Sequence, residues 1–250
     1  MVNTLLGIYS VLSQVFGSAH MFGLAIILFT ILVRLITHPL TLKQMKSSQA
    51  MQEMQKDPEW LEIQKKYKND KEKLQREQLR LYQEKGFNPL APCLPTLIQF
   101  PIMIGLYQAI MRALSVTPVQ LLDFARHIYP FIPASDLIPI NSRFLWMDLS
   151  QPERVNIFGI GIPVLAILVV LTTYLQSKLM TPASQPGDQS AAMAQTMNLT
   201  MPLFMGYIAY LYSSGLALYF LVGNILGIIQ YGAMGKLNWR NLLPKKREAP

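Results

Sequence analysis

Long apolar stretches alternate with charged ones along this chain, and the apolar stretches set the fold class. Four runs stand out: Met21 to about Leu42, Ala91 to Leu114, Ile157 to Leu179, and residues 199–234. A helix crosses roughly 30 Å of hydrocarbon with about 20 predominantly apolar residues. The first three runs reach that length. The fourth is 36 residues long, too many for one crossing, and Ser213-Ser214-Gly215 divides it into 199–214 and 216–234. The pattern predicts an all-α polytopic membrane protein with five transmembrane helices. Ahead of the first span, Leu5, Ile8, Tyr9, Leu12 and Phe16 recur at helical spacing, with Thr4, Ser10, Ser13 and Gln14 mostly between them. Over residues 1–20 this predicts an amphipathic helix lying in the membrane interface.

Between the first two spans the pattern becomes soluble. Asp57-Pro58 reads as a helix cap followed by proline at the first helical position. The run Asn69-Asp70-Lys71-Glu72 fits a capping box with Asn69 as the cap and Glu72 three places on. Leu61, Tyr67, Leu74, Leu79 and Leu81 supply only a thin apolar seam. Residues 43–87 therefore predict a mobile antiparallel helical hairpin.

Composition agrees with the spans. The chain is 51% hydrophobic and 14% charged, whereas a soluble domain carries about 25% charged residues. A single cysteine, Cys93, excludes an intrachain disulfide and any cysteine-cluster metal site. The net charge of +8 is unevenly placed. Segment 43–90 holds eleven Lys/Arg, the loop 115–156 holds three, and the tail 235–250 holds five. The positive-inside rule puts the hairpin, the loop 180–198 and the tail in the cytoplasm, and the loop 115–156 outside. Five spans then leave the N-terminus outside. With no secretory or organellar leader legible in residues 1–20, a bacterial plasma membrane is the expected location.

Arg34 is the exception inside the first span. Lipid does not solvate a guanidinium, and the spans offer no acidic residue at its depth. Snorkelling toward the headgroups is one answer. However, Gln99, Gln176, Asn224 and Gln230 also lie within spans, and polar groups there tend to face the bundle interior or water. The combination predicts a wet cavity open to the cytoplasm with a positive charge at its end. Charge and periodicity leave two occupants open, a small anion in a channel or carrier and the acidic segment of a polypeptide. No phosphate-cradling loop, nucleophile triad or metal-ligand set is present, so neither enzyme chemistry nor a cofactor is expected.

Several motifs resemble, in order, those of the YidC insertase family, which includes the mitochondrial oxidase-assembly and chloroplast insertases. They are "NPLAPCLPTLIQFPIMIGLY" at 88–107, "KKYKNDKEKLQREQLRLYQEKG" at 65–86, "FLWMDLSQPE" at 144–153 and "MPLFMGYIAYLYSSGLALYFLVGNILGIIQ" at 201–230. The resemblance covers nearly everything from about residue 20, and the family's large periplasmic domain is missing, as in its short forms. It implies an insertase and chaperone whose five spans surround a hydrophilic groove open to the cytoplasm and lipid. Arg34 matches the groove arginine, and Gln99, Gln176, Phe220 and Asn224 match groove positions. Phe220 stands where the family usually has tryptophan, keeping the ring and losing the indole N–H, and Pro92 stands where glycine is usual. The implied partners are nascent membrane proteins, membrane lipids, the Sec translocon and, through the basic tail, the ribosome, with the protein acting as a monomer. The short halves of the last apolar run predict local bilayer thinning.

Overall fold

The computed structural model describes residues 1–17, 19–54, 57–67, 70–86, 94–114, 140–157, 159–180 and 189–235. Five long helices form the body: α2 (Met21–Met54), α5 (Leu94–Ala113), α6 (Val164–Met180), α7 (Gln189–Leu211) and α8 (Ser214–Ala233). A shorter helix, α1 (Val2–Phe16), precedes them, and α3 (Pro58–Lys66) and α4 (Lys71–Glu84) follow α2. Four short strands, β1 (Arg143–Phe144), β2 (Met147–Asp148), β3 (Val155–Ile157) and β4 (Ile160–Ile162), pair as two antiparallel ribbons before α6.

Side-chain registers fix the helix directions. Arg34 meets Gly223 and His38 meets Gln230, so α2 and α8 run the same way. Asn224 meets Thr172 and Thr173 and, one turn on, Gly227 meets Gln176, which makes α6 parallel to both. Gln99 meets Tyr219 while Ile110 meets Gly215, so α5 is antiparallel to α8. Gly206 lies against Val170 and Asn198 against Ser177, so α7 is antiparallel to α6. The five helices thus alternate in direction along the chain.

One end of the bundle is filled. Phe22, Ile26, Leu106, Ile110, Leu165 and Val169 are buried there with Leu5, Leu6 and Tyr9 of α1. Between lipid-exposed helices no hydrophobic transfer drives association, so close packing must hold them. A Cβ at Gly206 would stand 2.1 Å from Val170 Cγ2, and one at Gly215 would stand 3.2 Å from the Leu149 carbonyl oxygen. Both contacts exist because glycine is there.

The ribbons lock this end. Phe144 fills the space over Gly23. At the start of α8, the backbone N–H of Ser214 donates to the Gln151 carbonyl (2.8 Å), and the Ser214 hydroxyl donates to the Asp148 carbonyl (2.6 Å). The buried Glu153 carboxylate accepts from Trp146 Nε1 (3.1 Å) and from the backbone N–H of Leu165 (3.0 Å). It thereby satisfies one of the donors that the first turn of α6 leaves open.

Several boundaries differ from the sequence expectation. The first apolar run ends near Leu42, yet α2 continues to Met54, roughly 51 Å at 1.5 Å per residue. Residues 155–162 form a ribbon rather than the first turns of a span, and α6 starts after Pro163 with 17 residues. Helix α7 begins at Gln189, ten residues before 199, so the last two helices have 23 and 20 residues and are not short. The thinning argument loses its basis with them. Helix α4 is capped by Asp70, whose carboxylate accepts from the N–H of Lys73 (3.1 Å), rather than by Asn69, which lies outside the described residues. Along α1, Leu5 and Tyr9 are buried as the stripe requires, whereas Phe16 is 71% exposed. Among the described residues, Met21–Ser47 and Ser214–Ala233 are long and apolar enough to cross a membrane. The second run's start at Ala91, Pro92, Cys93, the loops 115–139 and 181–188, and the basic tail from residue 236 lie outside the described residues.

Helices α3 and α4 pack through an edge-to-face contact of Trp60 on Tyr82 (5.3 Å between centroids). Met54 at the end of α2 joins Trp60 and Leu81 in one buried cluster. Asp57 caps α3 and also pairs with Lys85 beyond α4, closing the two helices at their base.

Candidate functional site

The other end of the bundle is hollow. A cavity of about 380 Å³ opens there, lined by all five long helices. The change from filled to hollow falls at the same level on each helix. On α2 the buried stretch from Phe22 to Thr30 gives way to a cavity lining from Thr30 to Thr41, and Met45 and Met54 are buried again only beyond it. On α6 the buried Leu165–Val169 gives way to Thr173, Gln176, Ser177 and Met180. The antiparallel helices show the reverse order, with Gln99–Met103 of α5 and Met201–Met205 of α7 facing the cavity.

Arg34 is half-buried in this cavity. One guanidinium nitrogen donates to the Gly223 carbonyl oxygen at 2.6 Å. No carboxylate pairs with it among the described residues. The partner inferred to be missing from the sequence is thus replaced by a main-chain carbonyl on α8. A guanidinium has five N–H donors, so donors remain for water or a visiting acceptor. Gly227 makes room for Gln176, since a Cβ there would stand 2.7 Å from Gln176 Nε2, while Cβ atoms at Gly223 and Gly227 would meet the guanidinium at an ordinary 3.5 Å. Gln176 and Arg34 therefore converge on one strip of α8 that carries no side chain.

The remaining polar groups divide into two kinds. Gln99 donates to Tyr219 Oη (2.6 Å), and Asn224 donates to Thr173 (2.7 Å) and Thr172 (3.1 Å), so these amides tie α5 and α6 to α8. Thr30, Thr37 and Thr41 return their hydroxyl protons to carbonyls one turn back on α2. They give the wall a polar surface without needing a partner helix. Phe220, largely buried, forms part of the floor with its ring tilted on Tyr219 (5.9 Å). Outside the cavity lining, Gln230 and His38 are hydrogen-bonded between α8 and α2.

The five residues matched to groove positions, Arg34, Gln99, Gln176, Phe220 and Asn224, line one cavity, whereas Gln230, also picked out as a polar span residue, is not in its lining. Sequence reasoning missed Tyr219 and Tyr231, Thr172 and Thr173, and the acceptor role of Gly223. The tyrosines resembled ordinary span aromatics. The threonines matter only once α6 lies beside α8. No group of three or more potential metal ligands occurs among the described residues.

Comparison with known proteins converges on one family. The model of the 60Kd inner membrane protein family matches residues 11–239. The membrane protein insertase YidC of Oceanobacillus iheyensis is 39% identical over 216 residues, which is 84% of this chain and 72% of the relative. The YidC of Clostridium perfringens is 39% identical over 221 residues, covering 87% of this chain and 79% of the relative. A crystal structure of an active YidC insertase with its first transmembrane domain resolved superposes with a TM-score of 0.57 at 26% identity. It covers 92% of this chain, while this chain spans 45% of that one. With a family match over nearly its whole length, relatives of this identity and the same helical fold, the chain belongs to the 60Kd inner membrane protein family, that of the YidC insertases.

Proposed function

We propose that the chain is a membrane protein insertase and chaperone of the bacterial plasma membrane, with five spans, the N-terminus outside and the tail in the cytoplasm. The observation that carries the reading is Arg34, without a carboxylate partner among the described residues, in a cavity hollow at one end and packed at the other. The hollow end is the one from which α2 continues into the basic segment, so charge placement turns the opening toward the cytoplasm.

The hydrophilic tail of a nascent membrane protein enters this cavity partway across the membrane. Arg34 attracts acids on the tail, and the threonine, tyrosine and amide groups replace part of its hydration. Water shared with the cytoplasm keeps the attraction modest, so the tail can leave again. The apolar segment then moves sideways into lipid, a step driven by apolar burial at roughly 25 cal/mol per Å². Gln99, Gln176, Phe220 and Asn224 shape the wall that the tail meets. Neither a nucleotide nor a cofactor takes part. The Sec translocon receives or shares substrates, the basic tail 235–250 meets the ribosome, and a monomer suffices.

The test is insertion of a single-span substrate with an acidic tail into liposomes holding the purified chain. Arg34→Ala reduces insertion by tenfold or more, on the scale of losing a charged hydrogen bond, and Arg34→Lys keeps most of it. Unchanged insertion by Arg34→Ala overturns the groove mechanism. The second reading, an anion channel or carrier, also draws on Arg34. The packed layer of Phe22, Ile26, Leu106 and Val169 would block a through-pore, and anion flux across the same liposomes would restore that reading. Deleting residues 244–250 weakens co-sedimentation with ribosomes, and an unchanged pellet removes the ribosome from the list of partners.

A further inference from the structure

The β1–β2 ribbon ends in a two-residue tip that the cavity does not use. Phe144 and Met147 point into the bundle and are buried, while Arg143 and Asp148 face outward across the ribbon's base. The tip itself is Leu145 and Trp146, 62% and 57% exposed. Leu145 has φ +53°, a conformation that costs a residue with a Cβ. His20, also at positive φ (+62°), holds it, its Nδ1 accepting from the Leu145 N–H at 3.2 Å. Trp146 is held by its polar edge through the bond to Glu153. The indole therefore presents its apolar part outward with its one donor already satisfied.

His20, which holds this tip, follows the end of α1 by four residues, and that end exposes Val15 and Phe16 at 66% and 71%. Leu24 and Leu28 of α2 continue the apolar exposure along the bundle. Two strained backbone positions thus maintain an apolar tip above a charged base, at the end of the bundle where α1 stops and α2 starts. A large ring with a satisfied polar edge is the chemistry of a membrane interface. We propose that the Leu145–Trp146 tip dips into the headgroup boundary of the bilayer and, with the exposed flank of α1, seats the closed end of the bundle at a fixed depth.

This concerns seating rather than transport and requires only that the bundle be embedded. The full chain with Trp60→Phe and Trp239→Phe leaves Trp146 as the single tryptophan. It is reconstituted in phosphatidylcholine vesicles brominated near either the carbonyl or the methyl end of the acyl chains. Trp146 emission is expected to be blue-shifted, to lose most intensity with bromine near the carbonyl end, and to resist aqueous iodide. Leu145→Asn suits the positive φ yet removes the apolar group, and it should raise iodide quenching severalfold. Quenching by iodide alone puts the tip in water and overturns the proposal. Quenching by neither puts the tip under protein, such as a second copy, and also overturns it. Leu28→Trp, in a chain without the other tryptophans, reports separately whether the bundle is embedded. A nitroxide on Leu145→Cys, with Cys93→Ser, reads the same depth with every tryptophan retained.

Discussion

Gly206 and Gly223 are both helical glycines, but a methyl group would act differently at each. At Gly206 it would meet Val170 Cγ2 at 2.1 Å, a β-branched side chain with little rotamer freedom. Gly206→Ala should destabilise the bundle by about 1–3 kcal/mol, the range for overpacking. At Gly223 the nearest atom is a guanidinium nitrogen at 3.5 Å, an ordinary contact. Gly223→Ala should stay within about 0.5 kcal/mol. Unfolding of both variants in lipid–detergent bicelles measures the difference. The sequence carried the question about Arg34 but not its answer, because the acceptor is a carbonyl 189 residues away. The Thr172 and Thr173 partners of Asn224 were hidden for a similar reason. A threonine in a span reads as filler until the neighbouring helix is known.

The paired helices α3 and α4 show what an element gains from a few contacts. The hydrogen bond from Lys85 holds the Asp57 carboxyl below its usual pKa, and Asp57 holds the Lys85 amine above its own. Asp57 therefore adds stability above its unfolded pKa of about 3.9, lost as pH falls through its lower folded value. Lys85 adds stability below its unfolded pKa of about 10.4, lost as pH rises through its higher folded value. The pairing should be constant between about pH 4 and 10. Trp60 fluorescence should report a loss on either side that Lys85→Met removes. Trp60 itself has a buried indole N–H with no partner among the described residues. Trp60→Phe should thus be nearly neutral, whereas Trp60→Ala should cost several kcal/mol, up to about 3–5, as seen in amide exchange of residues 58–84. This residue was legible but overlooked: a lone tryptophan in a charged segment looks exposed, and here it is the centre of the cluster. The ribbon at 155–162 was misread for another reason. A short β-branched apolar run has no period that separates strand from helix, and Pro163 was the local sign that the helix starts later.

Across the whole molecule, the division into a filled end and a hollow end decides what water can reach. With Cys93 replaced, single cysteines at Thr37, Thr41 or Ser177 should react readily with a charged thiol reagent in vesicles. Cysteines at Ala25, Ala109 or Val169 should not, and labelling at both levels would mean an open passage. The five alternating helices were foreshadowed by the apolar runs, since each run is a local property. The level at which packing gives way to cavity was not, because it depends on which residues of five helices share a height.

One consequence follows from the length of α2. The rod that carries Arg34 extends unbroken to Met54, whose side chain is buried against Trp60 and Leu81. At roughly 51 Å it exceeds the 40–45 Å of a bilayer with its headgroups. Whatever grips α3 and α4 therefore holds the far handle of a tiller. Pro39, which removes one rung of the helix between handle and guanidinium, is the position where bending that rod would cost least.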